Sequence, residues 1–308
     1  MSPPPLLERL HGGAILVADG ALGTMLFRHG LKPGACPEAL NLTQPELLVA
    51  IARSYLEAGA DLIQTNTFGA SPLKLAAYGL EARADEINRV AVEAVRSAAG
   101  GRAYVAASIG PSGKILEPYG DADPQVVRLS FQQQVIGLIA AGTDAIVIET
   151  MTDLREATLA VEAAKEVAPG IPILATMTFD RTPRGFFTIM GVTIPEAAAG
   201  LAAAGADVVG SNCGNGSDNM VEIASAFRAA TALPLLMQAN AGLPEVRAGE
   251  LVYGETPEFM AERAAAMLMS GVAILGGCCG TTPAHIRALR ALVDARGGRG
   301  RGRGISSA

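Results

Sequence analysis

Short apolar, β-prone runs recur along this chain at intervals that leave room for a helix between each. They lie at residues 14–18, 61–65, 104–109, 144–148, 171–176, 207–211, 235–239 and 272–275. Continuous apolarity, as opposed to alternation, marks strands buried on both faces, as in a parallel sheet. Helical patterns fill the intervals, at 45–58, 84–99, 124–141, 154–168, 195–204, 217–230, 257–269 and 283–295. Eight β runs alternating with eight α runs predict an α/β fold, a single (β/α)8 TIM barrel. A doubly wound open sheet is the runner-up.

Local punctuation supports the alternation. Proline stands near five helix starts, where its missing N–H is harmless. Asp123, Asp153, Thr256 and Thr282 directly precede helical patterns and are N-cap candidates. Thr43 and Thr193 stand two residues before their prolines and are weaker ones. Asp218 caps only if its helix starts later than 217. The phrases EAGAD (57–61), AAGTD (140–144) and AAGAD (203–207) each read as a helix end, a glycine C′ cap and a tight turn into the next strand.

Length and composition narrow the class. A chain of 308 residues suits two domains at about 150 residues each, or one α/β barrel of about 250 or more. Residues 1–296 are expected to form the barrel, and 297–308 a Gly/Arg-rich disordered tail, solvated in preference to touching RNA. With 50% hydrophobic and 18% charged residues, a disordered chain is excluded. Four cysteines in 308 residues are too few for a disulfide scaffold. A net charge of -6 argues against wholesale nucleic-acid binding. The start shows no secretory signal, and no apolar stretch reaches about 18 residues. A cytoplasmic protein with reduced thiols and no membrane partner is expected, so clustered cysteines point to metal or catalysis.

Chemistry in such barrels sits at the C-terminal strand ends. Strand 1 leads into Asp19 and residues 20–24, strand 2 into Asn66, strand 3 into Ser108, strand 4 into Glu149, strand 6 into Cys213, strand 7 into Asn240, and strand 8 into Cys278-Cys279. Strand 6 is separated from strand 8 by strand 7 alone, so three cysteines can converge over the mouth. Three thiolates with an open fourth position form a catalytic zinc pattern. The flanking Gly276, Gly277 and Gly280 permit the sharp turn that two adjacent ligands need. The plainer alternative is that these cysteines are small hydrophobes, the preferred reading for Cys36. The three histidines (11, 29 and 285) miss the strand ends, which disfavours a His-based site or a Ser-His-Asp triad. His285 is expected to be a surface or capping residue. Asp19 and Glu149 are either structural rim carboxylates or, beside a thiolate metal, holders of an amino-acid ammonium. In the second case the amides of residues 20–23 take the carboxylate.

Several motifs carry a family resemblance across about residues 11–296. They are DGALGT (19–24), ADLIQTNTFG (60–69), GPSG (110–113), Glu149-Thr150, GADVVGSNCG (205–214), QANAG (238–242) and GGCCGTTP (276–283). The chain resembles the homocysteine S-methyltransferase family, in particular the homocysteine-binding barrels of cobalamin-dependent methionine synthases. The resemblance implies a zinc-dependent methyltransferase that makes methionine, with Cys213, Cys278 and Cys279 as Zn2+ ligands and homocysteine sulfur at the open position. It implies that Asn240 can occupy the metal when substrate is absent. Asp19 and Glu149 then hold the substrate amino group, beside Gly20 and Ala21. Asn66 and Ser108 are weaker carry-overs, placed by proximity.

The implied chemistry is coherent. A free thiol is mostly protonated at neutral pH, and coordination lowers its pKa. Three protein thiolates leave the zinc a weak Lewis acid, so the substrate thiolate stays nucleophilic toward an activated methyl group.

The resemblance favours a methylcorrinoid or methylfolate donor system, with the corrinoid on a separate protein or other methionine synthase modules. Alternatives are a sulfonium such as S-methylmethionine, or betaine. Betaine is disfavoured because quaternary ammonium cages use aromatic faces, Trp best, and the chain has no Trp. Tyr78, Tyr119 and Phe68 remain as cage candidates. Two other classes stay open: a non-catalytic module that binds a thiol amino acid, and a redox-active Cys278–Cys279 pair.

Overall fold

Each apolar run becomes a strand in the computed structural model, which describes residues 3–247 and 250–297. The strands are β1 (Leu16–Val17), β2 (Leu62–Gln64), β3 (Tyr104–Ile109), β4 (Ala145–Met151), β5 (Ile173–Met177), β6 (Val208–Asn212), β7 (Leu235–Ala239) and β8 (Val272–Gly277). They pair in parallel in the order β1-β8-β7-β6-β5-β4-β3-β2. A parallel bridge from Ala18 to Leu62 joins β1 to β2 and closes the ring. The open-sheet alternative is thereby excluded.

A long helix follows each strand: α1 (Pro45–Glu57), α2 (Ala84–Ala99), α3 (Pro124–Ala140), α4 (Leu154–Val167), α5 (Ile194–Ala204), α6 (Ser217–Ala230), α7 (Pro257–Met269) and α8 (Pro283–Ala295), with short helices at Gly23–Arg28 and Leu40–Thr43 ahead of α1 and at Pro72–Leu75 ahead of α2. Strand side chains alternate between two apolar clusters. Val105, Ala107 and Ile109 face the helices, while Tyr104 and Ala106 face the barrel interior. Leu62, Val147, Leu174, Leu236 and Ile274 belong to the same inner layer, with Leu16, Ala145 and Val208. A short helix, Leu6–His11, sends Leu6 and Leu10 into the lower end of the barrel.

The repeated Gly-x-Asp phrase acts as one device used three times. Gly59, Gly142 and Gly205 adopt φ of 100°, 86° and 106°, the left-handed region that favours glycine. The following aspartate then accepts a backbone amide of the preceding strand. Asp61 takes Val17 N at 3.0 Å, and Asp144 and Asp207 take Val105 N and Ile173 N at 2.8 Å.

Capping follows the sequence in part. Asp123, Asp153 and Thr256 accept the expected amides, and Thr282 forms a reciprocal box with His285. His285 caps from a buried position. Thr193 also caps, in a full box with Glu196, because α5 begins at Ile194, one residue before its proline. Thr43 does not cap, since Gln44 holds that position. Asp218 pairs with Arg263 instead, with Gly216 at the N-cap.

Two antiparallel hairpins stand outside the strand-helix alternation: Asp180–Thr182 with Gly185–Phe187, and Pro244–Arg247 with Glu250–Tyr253. The expected tail, beyond Gly297, lies outside the described residues. Among the described residues, no helix is long and apolar enough to cross a membrane.

Candidate functional site

Period-2 alternation lifts polar side chains above the apolar inner layer. Two residues beyond Leu62, Ala106, Val147 and Leu236 stand Gln64, Ser108, Glu149 and Gln238. They meet over the barrel axis. Glu149 Oε1 accepts from Ser108 Oγ at 2.5 Å and from Gln64 Nε2 at 2.7 Å. Glu149 Oε2 accepts from Asn212 Nδ2 at 3.1 Å. Gln238 Nε2 donates to Gln64 Oε1 at 3.0 Å. Burial pushes the Glu149 carboxyl up to about 7, and the hydrogen bonds from Ser108 and Gln64 oppose that rise.

Asp19 lies beside this network, 3% exposed. Its Oδ2 accepts Gln64 N at 2.8 Å, while the buried Oδ1 has no partner. Burial pushes its carboxyl up to about 8, and the charge of Glu149 adds to the shift. Two carboxylates thus share a polar floor on which Asp19 Oδ1 and Gln238 Oε1 stand without partners.

Three cysteines form the opposite wall. Cys213 follows β6 at φ 59°, and Gly214 continues the turn at φ 70°. Its amide donates to Gln238 O at 3.1 Å, which holds it against β7. On β7's other side, Cys278 N donates to Ala239 O at 2.7 Å and Ala241 N donates to Cys279 O at 2.9 Å. Thr281 Oγ1 donates to Cys278 O at 2.8 Å and accepts from Ala21 N at 3.0 Å. That hydroxyl fastens the cysteine turn to the loop after β1. At Gly277 a Cβ would collide with Thr281, so the close approach requires glycine.

The three sulfurs lie within 4.8 Å of one another, with Cys213 Sγ 3.9 Å from Cys279 Sγ. Tetrahedral zinc with bonds of about 2.3 Å sets its sulfurs about 3.8 Å apart, so the spacing fits that ion. Asn240, 4% exposed, lies beside Cys213, and its buried Oδ1 has no partner. The donor set is therefore three sulfurs and one spare amide oxygen. Hydrogen bonds from Cys278 and Cys279 hold the Cys213 thiol well below its usual range, and the same contacts push the other two up. The three cysteines and Glu149 border a common cavity of about 270 Å³, which also touches Gly20, Phe68 and Gly277.

Residues 16–293 match the family described as homocysteine S-methyltransferase. The chain belongs to the homocysteine S-methyltransferase family. The methionine synthase of Mycobacterium tuberculosis is 34% identical over 299 residues, which cover 91% of this chain and 24% of that protein. The methionine synthase of Mycobacterium leprae is 34% identical over 308 residues, covering 94% of this chain and 25% of that protein. The chain therefore spans about a quarter of the length of these curated relatives. The solved homocysteine methyltransferase MmuM from Escherichia coli, in its metallated form, superposes with a TM-score of 0.78 at 25% identity. That likeness covers 94% of this chain and 99% of that one.

Placed in the structure, the residues that the family resemblance singles out fall into two groups. Gly20, Ser108, Glu149, Cys213, Cys278 and Cys279 line the cavity, as do Ala21 and Asn66, while Asp19 and Asn240 are buried outside its lining, Asp19 against Gln64 N and Asn240 beside Cys213. Ala21 and Asn66, though at the cavity, have their polar groups engaged elsewhere. Ala21 borders the cavity, but its amide is held by Thr281. Asn66 spends both carboxamide protons on Pro37 O and Asn41 Oδ1, each at 2.8 Å, and so clamps the loop that follows β2. Sequence reasoning passed over Gln64, although a glutamine inside an apolar strand run is a visible signal. It also passed over Asn212 as a site residue, one position before Cys213. Tyr55, whose hydroxyl donates to Ala21 O at 2.8 Å, gave no signal beyond its place on an amphipathic helix.

Proposed function

We propose that this chain holds zinc on Cys213, Cys278 and Cys279 and methylates the sulfur of homocysteine to give methionine. The observation that carries the reading is three converging sulfurs lining one 270 Å³ cavity with the buried carboxylate of Glu149, beside which the Asp19 carboxylate is buried. One wall suits a thiol and the other an ammonium, and the space between suits a small amino acid. Zinc bound there would lower the pKa of the substrate thiol and keep it a thiolate at neutral pH.

The chain's own residues do the rest. Asp19 Oδ1 and Glu149 hold the ammonium, and Ser108, Gln64 and Asn212 fix the Glu149 carboxylate in place. The substrate carboxylate meets the amides of Gly20, Leu22 and Gly23, because the Ala21 amide is already engaged by Thr281. Asn240 Oδ1 stands in for the substrate when the pocket is empty. The anchored sulfur then takes the methyl carbon in line, and the donor leaves with the bonding pair.

For the donor, a methylcorrinoid or methylfolate system is favoured, supplied by a separate corrinoid protein or other methionine synthase modules. The likeness to the mycobacterial methionine synthases supports this. A small sulfonium donor is the second reading. A betaine-type donor is disfavoured, since Phe68 is the one aromatic side chain among the described residues that line the cavity.

The test is a methyl-transfer assay with homocysteine and each donor class: methylcobalamin, methylfolate with a corrinoid protein, S-methylmethionine and betaine. Methionine formed with one donor and requiring zinc supports the reading. Tight homocysteine binding with no product from any donor would make the chain a binding module instead.

A further inference from the structure

The outward face of α3 differs in chemistry from those of the two helices beside it. On α2 every exposed side chain except Ser97 is charged, and on α4 the exposed side chains are Arg155, Glu162 and Glu166. On α3 they are Gln125, Val126, Leu129, Gln133, Ile136 and Ala140, with no charge among them. The one charged side chain within α3, Arg128, is ion-paired with Glu166. A helix face turned to water is normally polar or charged. Here Val126, Leu129 and Ile136 stand 49%, 53% and 57% exposed.

Single exposed apolar residues are ordinary, but these are aligned. From Val126 through Leu129, Gln133 and Ile136 to Ala140 the steps alternate between three and four residues, which sets all five on one stripe along the helix. Gln133 sits at the centre, with Val126 and Leu129 on one side and Ile136 and Ala140 on the other. A stripe that reads alike from both ends is self-complementary, as a two-fold contact requires. Laid antiparallel across it, a second α3 sets Leu129 near Ile136 of the second copy and Val126 near its Ala140. The two Gln133 carboxamides then meet, each both donor and acceptor. A polar residue at such a place fixes register. Arg89 pairs with Glu93 at 2.7 Å on one flank, and Arg128 with Glu166 on the other. Each of these pairs carries both signs of charge, so a second copy meets no like-charged rim there.

We propose that the α3 stripe is the interface of a weak homodimer, with α3 packed antiparallel against α3 of a second copy about a two-fold axis beside Gln133. Area sets its strength. Three half-exposed aliphatic side chains with Gln133 and Ala140 offer roughly 300–500 Å² per copy, so the contact buries less than about 1,200 Å² and belongs with weak, reversible complexes. None of the stripe residues borders the cavity, so the dimer and the methyl-transfer reading stand or fall separately.

The experiment is analytical ultracentrifugation of the full chain, wild type and Leu129→Glu, from about 10 μM to about 1 mM, a span that brackets weak association. The expected wild-type mass climbs from one chain toward two as concentration rises. Leu129→Glu should stay at one chain throughout, with an unchanged melting temperature because the side chain is half exposed. Gln133→Cys tests the register independently: a bismaleimide at the highest concentration should join two copies through position 133, as located by peptide mass spectrometry. A wild-type chain that stays monomeric at every concentration would overturn the proposal and leave the stripe to a different protein. A dimer that Leu129→Glu does not weaken, or that Gln133→Cys cannot link at position 133, would overturn it by placing the interface elsewhere.

Discussion

Asn212 joins the two halves of the site: its Nδ2 donates to Glu149 Oε2 at 3.1 Å, and the next residue in the chain is Cys213. The same carboxamide accepts Thr150 N at 2.7 Å. Thr150 and Cys213, at φ 58° and 59°, are both held in the left-handed region, a strain of roughly 1–2 kcal/mol per non-glycine residue. Strained residues of this kind persist where the surroundings fix them, and they cluster at functional sites. Asn212→Ala should therefore weaken homocysteine binding and destabilise the fold by about 1–3 kcal/mol. Calorimetry and urea unfolding check the two effects. No change in either would mean the linkage carries no energy.

Glu149→Gln keeps the shape of the side chain and removes its charge. It should raise the homocysteine dissociation constant by roughly 10- to 100-fold, the equivalent of about 1.5–3 kcal/mol for a hydrogen bond to a charged group. Zinc content should not change. Unchanged affinity by calorimetry would make Glu149 a structural rim residue.

The buried carboxyls set a pH dependence whose sign differs with and without ligand. In the folded chain Asp19 is raised from 3.8 to about 8 and Glu149 from 4.5 to about 7. The folded state therefore holds protons that the unfolded state has released. The stability from these groups is complete below about pH 4 and is lost as pH rises through about 7 and 8. Ligand-free protein should melt at lower temperature as pH rises across that window, and Asp19→Asn should flatten the slope. Homocysteine binding should strengthen over the same window, because its ammonium needs the anions. Thermal melts and calorimetry at several pH values read both trends. A rising ligand-free melting temperature that Asp19→Asn does not alter would contradict the assignment.

Thr281→Ala removes the hydroxyl between Ala21 N and Cys278 O. It leaves a buried amide without its partner, at a cost of about 1–3 kcal/mol. The same change frees the cysteine turn, so zinc should leave faster to a chelator. Wild-type stability and release rate together would show that the glycines alone shape the turn.

Much of this was legible because a barrel converts sequence order into position. Eight runs fixed the strand order, the strand order put Cys213 near Cys278, and period-2 alternation raised Glu149 and Ser108 over the apolar layer. What was not legible depended on contacts between distant loops. Nothing local shows that Thr281 takes the amide of Ala21, or that Asn66 closes a loop with Asn41. Nor does it show that a hairpin returns Tyr253 to Gly280, beside the cysteines. Thr193 was underrated because α5 starts one residue ahead of its proline. Helix Leu6–His11 lacks a side-chain cap and gains its place from burial of Leu6 and Leu10, which no local signal announces.

The central claim is that three cysteines form one metal centre, and its most direct test is zinc content under reducing conditions. Wild type should carry about one zinc per chain, as a closed set of three thiolates with one open position requires. Cys213→Ala, Cys278→Ala and Cys279→Ala should each lose most of it together with methyl transfer. A wild-type chain that stays metal-free after zinc is added, or a variant that keeps full zinc content and rate, would contradict the account.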